Sequence, residues 1–196
     1  MSARTLVALA LAAALIGAAV PLALAQPAAP AAQLVPAGSE VSFTTRQMGV
    51  PVEGRFNRFN ARIALDPRKP AAGSVSFTVD TASARFGVAE IDAEIGKPVW
   101  LSPAQFPQAV FQSTAIRAAG PGKFDVQGKL TLKGTSRDLT VPVQLTQSGG
   151  QSTATASFTL KRLEFRVGEN EWADTSMVAN DVLVRLRLQL TGLPPL

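Results

Sequence analysis

The stretch from Phe43 to Pro67, FTTRQMGVPVEGRFNRFNARIALDP, constrains this chain more than any other. Two extended runs meet there at one tight corner, Met48-Gly49 with Pro51 just beyond, and both alternate apolar with polar side chains. That period of two marks strands that bury one face. In the first run Val41, Phe43 and Thr45 share a face, opposite Ser42, Thr44 and Arg46. The second run is too long for an ordinary strand, and its phase changes. Val50, Val52, Gly54 and Phe56 have even parity, whereas Phe59, Ala61, Ile63 and Leu65 have odd parity. A slip of one residue sends every later side chain to the opposite face, so a bulge or bend near Asn57-Arg58 is needed to keep the apolar set inward. Strands bent in this way help a sheet close on itself, which predicts a barrel.

The rest of the chain repeats the pattern. Gly73 to Thr81 alternates as a third strand, and Ala109 to Ala118 as a fourth, preceded by the helix breakers Pro103 and Pro107. A fifth places Phe124, Val126, Gly128, Leu130 and Leu132 on one side, and a sixth Leu139, Val141, Val143 and Leu145. The seventh, Gln151 to Leu163, carries Ala154, Ala156, Phe158 and Leu160; the eighth, Asn180 to Leu190, carries Val182, Val184, Leu186, Leu188 and Leu190. Gly120-Pro121-Gly122, Lys133-Gly134 and Gly149-Gly150 supply short turns. Between Val88 and Leu101 the string EIDAEI suits either a strand or a short helix. The expected fold is therefore all-β, an eight-stranded antiparallel up-and-down barrel, just wide enough for side chains or one slender ligand.

Residues 1–25 read as a cleavable secretory signal: Arg4 in the n-region, an apolar run from Leu6 to Val20, and Ala23-Leu24-Ala25 before the cut. Residues 26–38, opening with QPAAPAAQ, read as a flexible Pro/Ala linker. The domain is expected over 39–192, with a short tail at 193–196. An exported chain of this kind is expected in the periplasm. It has no cysteine, so no disulfide or lipid-anchored cysteine is available and the core alone must stabilise it. Losing Arg4 with the leader lowers the net charge from +5 to +4. The basic residues are scattered rather than gathered in a stripe, which argues against nucleic acid and allows transient contact with an anionic membrane surface.

With no histidine and no cysteine, Ser-His-Asp and Cys-His nucleophiles, H-E-x-x-H and thiolate metal sites are all excluded. No phosphate-binding glycine loop is present either. Two acidic groups remain, Glu90, Asp92 and Glu94, then Glu169, Glu171 and Asp174; neither has the spacing of a calcium loop. No catalytic residue, metal or cofactor is expected.

The string Thr45-Arg46-x-Met48-Gly49-Val50-Pro51-Val52-Glu53-Gly54-x-Phe56, with Asp66-Pro67 following, resembles the opening of the YceI-like, polyisoprenoid-binding periplasmic proteins. Trp100-Leu101, Phe106-Pro107-x-Ala109-x-Phe111-x-Ser113, Gly128-x-Leu130-Thr131-Leu132-x-Gly134-x-x-Arg137 and Gly168-x-x-x-Trp172-Ala173-Asp174 extend the likeness over nearly the whole mature chain. The resemblance implies a lipocalin-like barrel, a short helical connection after the third strand, and a ligand that is an isoprenoid lipid or quinone.

On that reading the barrel is lined by Phe43, Val52, Phe56, Phe59, Phe77, Phe111, Leu130 and Phe158, with Trp100 and Trp172 closing an end and Arg46 at the head group. The small inward residues Gly54, Ala61, Gly128, Ala154 and Ala156 would leave room along the axis. Two rivals stay open: a filled barrel that presents loops to an envelope partner, and an enzyme acting on a prenyl lipid through its acidic loops. Monomer and homodimer are both compatible.

Overall fold

In a computed structural model describing residues 31–196, β1 (Ala31–Gln47) turns at Met48-Gly49 into β2 (Val50–Phe56), and the long run then breaks at Asn57-Arg58 before β3 (Phe59–Ala64). The break falls where the parity change requires it. One buried serine holds it: Ser83 O accepts from Asn57 N (3.2 Å), and Ser83 Oγ accepts from Arg58 N (3.1 Å) while donating to Asp80 O (2.7 Å).

β4 (Ser74–Asp80) leads through the two-residue β5 (Ala84–Arg85) to a short helix, α1 (Ala89–Ile95). Glu90 and Asp92 lie in the helix's first turn, where carboxylates oppose the unpaired amides, and Gly96 follows its end. Five long strands then complete the sheet: β6 (Gln108–Gly120), β7 (Lys123–Leu132), β8 (Thr135–Ser148), β9 (Gln151–Lys161) and β10 (Asp181–Thr191). With β2 and β3 counted as one bent strand, every long strand pairs antiparallel with its neighbour in sequence, and β10 returns to β1 from Gln33↔Thr191 to Thr44↔Leu183. The sheet is thus a closed, eight-stranded, lipocalin-like barrel with a single short helix. Outward positions of β7 and β10 carry Asp125, Gln127, Lys129, Arg185 and Arg187, so the apolar face points inward.

The expected linker needs correcting. Residues 31–38 form the first half of β1, with Ala31↔Ala64 and Ala32↔Ile63 on one side and Leu34↔Leu190 on the other. The Pro/Ala composition concealed two inward residues of one parity, Ala32 and Leu34, and the gap between β3 and β10 gives that segment hydrogen-bond partners on both edges. A register shift between Val35 and Glu40 absorbs Pro36 and Gly38, and Ser39 Oγ stitches it by donating to Val35 O and accepting from Gln189 N. The expected signal, 1–25, and the rest of the linker lie outside the described residues. Residues 193–196 dock on the barrel: Gln147 donates to Pro194 O and accepts from Leu196 N, each at 2.8 Å.

A second irregularity went unforeseen. The β6–β7 register shifts between Ser113 and Ala115, so Phe111 and Ile116 both face inward despite opposite parity.

Candidate ligand-binding cavity

The barrel interior is hollow. An apolar cavity of about 560 Å³ runs from Leu65 and Leu190 at one end to Trp100, Trp172 and α1 at the other. Its lining is unevenly packed. Ile116, Leu145 and Leu190, at the end away from α1, are each 2% exposed, as a packed core requires. Inward residues towards α1, among them Leu130, Leu132, Phe158, Leu160, Val182 and Val184, are only half-buried, because they face empty space. The volume lies in the range of small-molecule sites, and apolar cavities of ~150 Å³ already hold a benzene without water.

Phe43, Val52, Phe56, Phe77, Trp100, Phe111, Leu130, Phe158 and Trp172 line this space. Two expected residues do not. Phe59, the first residue after the bend, is half-buried against the core and packs its ring on Phe77, centroids 5.9 Å apart, without reaching the open space. Arg46 has the outward parity of β1; it is exposed, donates to Gly49 O across its own turn (3.0 Å) and does not line the cavity.

Two of the small inward residues serve a different purpose. A Cβ on Gly54 would lie 2.4 Å from Phe43 Cζ, and one on Gly128 would lie 2.5 Å from Phe111 Cζ. These glycines therefore do not leave voids; they let two phenylalanine rings lie flat across the wall, so that the rings do not reach into the lumen.

At the α1 end, Trp100 and Trp172 meet at 5.4 Å and 47°. What holds them is a residue that sequence reasoning missed. Arg162, 4% exposed, continues the even-numbered inward face of β9, and that parity was the only signal available. Its guanidinium donates to five carbonyls: Nε to Ala179, Nη1 to Val167 and Gly168, Nη2 to Trp172 and Val178, at 2.6–3.0 Å. It also lies 5.7 Å from the Trp100 ring centroid. All five of arginine's donors are thereby used. Burial lowers its pKa from the ordinary arginine value.

Lys133, buried at the β7–β8 turn, ties the same segments together by donating to Val99 O (3.0 Å) and Arg166 O (2.6 Å). Burial lowers its pKa too, and Glu169 at 3.7 Å partly opposes the shift.

The remaining polar lining gathers beside α1: Thr45 and Gln47 on β1, Glu90 and Glu94 on the helix. Thr45 Oγ1 is buried with no hydrogen-bond partner. Glu94 accepts from Trp100 Nε1 (3.3 Å) and pairs with Lys97, which holds its pKa below the usual glutamate value. Three other carboxylates of the two acidic groups have structural work as well. Asp92 accepts from Phe86 N, Glu169 pairs with Arg166, and Asp174 caps Ser176.

Residues 33–190 match the YceI-like domain. The chain belongs to the YceI-like domain family. Its fold agrees: BcnA of Burkholderia cenocepacia, 40% identical, superimposes with a TM-score of 0.78 over 80% of this chain and 99% of BcnA. A structure from Saccharophagus degradans, described as a polyisoprenoid binding domain implicated in plant cell wall breakdown, shares the barrel at 12% identity and a TM-score of 0.65, covering 85% of this chain and 99% of that domain. Among curated relatives, a UPF0312 protein of Vibrio vulnificus is 32% identical over 114 residues, 58% of this chain. The match spans about 60% of the length of that relative. The YceI-like barrel thus carries a cavity whose apolar wall is built from strand alternation and whose α1 end is assembled from loops.

Proposed function

We propose that this YceI-like protein is a periplasmic carrier that sequesters the isoprenoid tail of a lipid, most suitably a quinone, inside its barrel. The observation that carries this reading is the hollow apolar interior: a cavity of about 560 Å³ whose wall includes half-buried Leu, Val and Phe side chains that face open space on their lumenal side. Each methylene moved from water into such a space contributes ~0.8 kcal/mol. A tail of several prenyl units therefore binds without directed polar contacts, and binding strengthens with chain length.

The polar end narrows the head group. Glu90 and Glu94 place carboxylates at the cavity lining, and the cation there, Arg162, has every donor committed to a carbonyl. A phosphate head would meet negative charge with no free guanidinium to answer it. A neutral head bearing oxygen acceptors suits the site better. The unpartnered Thr45 hydroxyl and the neighbouring Gln47 amide are its natural donors. Glu94, Asp92, Glu169 and Asp174 are each engaged by a neighbouring donor or cation, which supports binding without a covalent step. The leader-like residues 1–25 support export to the periplasm.

The test is native mass spectrometry of the mature protein, purified from periplasm without detergent, followed by organic extraction. The expected result is a stoichiometric adduct that extracts as a prenyl quinone. A bare protein that stays bare after incubation with long-chain quinones and prenyl phosphates would sink the proposal and favour a barrel that serves only to present its loops.

A further inference from the structure

We propose that two adjoining loop tips beside the polar end of the cavity, Met48–Val50 and Met177, insert into the surface of a lipid bilayer and hold that end of the barrel against the membrane. The inference rests on the carrier reading for its purpose, but it stands on separate observations.

Large hydrophobic side chains are strongly exposed at five positions among the described residues, and three of them belong to these tips: Met48 at 66%, Val50 at 63% and Met177 at 42%. The tips form one surface. Met48 N donates to Met177 O at 2.8 Å, Ala179 N donates to Arg46 O at 2.8 Å, and Gln47 bridges Val178. Gln47 and Val178 in turn line the cavity, so the exposed patch continues directly into the cavity wall.

The turn itself carries a local conflict. Met48 (φ 49°) and Gly49 (φ 82°) are both left-handed and join the paired residues Gln47 and Val50, the geometry of a two-residue hairpin that prefers Asn-Gly. Methionine in the asparagine position is strained by its backbone and gains nothing from burial in water. The fold offers no reason for it, whereas an apolar surroundings for the tip does.

A bilayer is the occupant that fits. The patch consists of projecting tips rather than a groove, so it suits a soft, deformable surface better than a folded partner. Part of its backbone is already paired: Met48 N with Met177 O, Gly49 O with the Arg46 guanidinium, and the Met177 and Val178 amides with Asp174 O. Backbone groups left unpaired would make entry into hydrocarbon costly. Charges of both signs flank the tips, Arg46 beside Met48 and Asp174 near Met177, so apolar insertion and not charge drives the contact.

The experiment is flotation of the mature protein with phosphatidylcholine vesicles, repeated with phosphatidylglycerol added and at raised salt. Native protein is expected to float with both, with little effect of salt, and Met48→Asn/Val50→Thr/Met177→Gln to lose about tenfold or more of its vesicle-bound fraction. Met48→Asn alone should lower flotation while leaving the melting temperature unchanged or raised, because asparagine suits the turn. Uptake of a prenyl quinone from vesicles should slow in the triple variant, while uptake of the same quinone dispersed in solution should not. Native protein that fails to float, or a triple variant that floats equally, overturns the proposal whether or not quinone binds. So does a change of oligomeric state in the triple variant without vesicles, which would assign the tips to a self-contact. Absence of quinone uptake in every protein, with flotation behaving as expected, would overturn the carrier reading and leave the docking surface standing.

Discussion

Arg162 shows how one side chain can set the state of a whole site. Five carbonyls from the connection between β9 and β10 converge on its guanidinium, and none of them has another side-chain donor. Arg162→Met would leave those buried oxygens unpaired, at a cost of roughly 3 kcal/mol or more. Urea unfolding should show the loss, and a change below about 1 kcal/mol would mean that the oxygens find other partners. The cavity wall supports a second comparison. Ile116, 2% exposed at the tightly packed end, should lose ~2–5 kcal/mol when cut to alanine. Phe158, which faces the lumen, should lose clearly less than the ~3–5 kcal/mol of a packed phenylalanine while weakening or altering the bound lipid. Equal, large losses at both positions would indicate a solid core.

At the scale of elements, the α1 end differs from the rest of the barrel in what holds it. Ladder hydrogen bonds define the strands, whereas the loops around Trp100 and Trp172 depend on side chains, including three carboxylates. Glu169 and Glu94 lie below the ordinary value of 4.5, chiefly through Arg166 and Lys97 respectively, and Asp174 lies below 3.8 through Ser176. A carboxylate with a depressed folded pKa contributes stability that is fully present above its unfolded value and is lost as pH falls through the folded one. Acidification below pH 4.5 should therefore loosen this end first. Both tryptophans of the chain sit there, so their fluorescence should change at a higher pH than the far-ultraviolet circular dichroism of the strands. Simultaneous transitions would show that the end and the barrel melt as one unit.

Over the whole molecule, closure depends on β1, the one strand that pairs with β2, β3 and β10. A mature chain beginning at Glu40 would lose Ala32 and Leu34 from the core and leave edges of β3 and β10 unpaired. The expected cost is about 2–4 kcal/mol, mostly the burial of Leu34, with a matching fall in melting temperature against a chain beginning at Ala31. An unchanged melting temperature would mean that residues 31–38 are dispensable to closure. The exposed ladder groups should also make the truncated barrel prone to pairing with a second copy.

Much of this architecture was legible from period-two alternation alone, because a strand's facing depends only on residue spacing. The parity change between Phe56 and Phe59 placed the bend at Asn57-Arg58, and the glycine pairs placed the turns. Nine of the ten expected lining residues border the cavity, since parity assigns a side even when nothing else is known. What only the tertiary structure decided are matters of which distant atoms come together. The rings of Phe43 and Phe111 occupy the space over Gly54 and Gly128, Arg162 collects carbonyls from as far along the chain as Ala179, and a Pro/Ala segment becomes a strand between β3 and β10. Alternation is a property of neighbours in sequence; closure, cavity shape and the satisfaction of a buried cation are properties of neighbours in space.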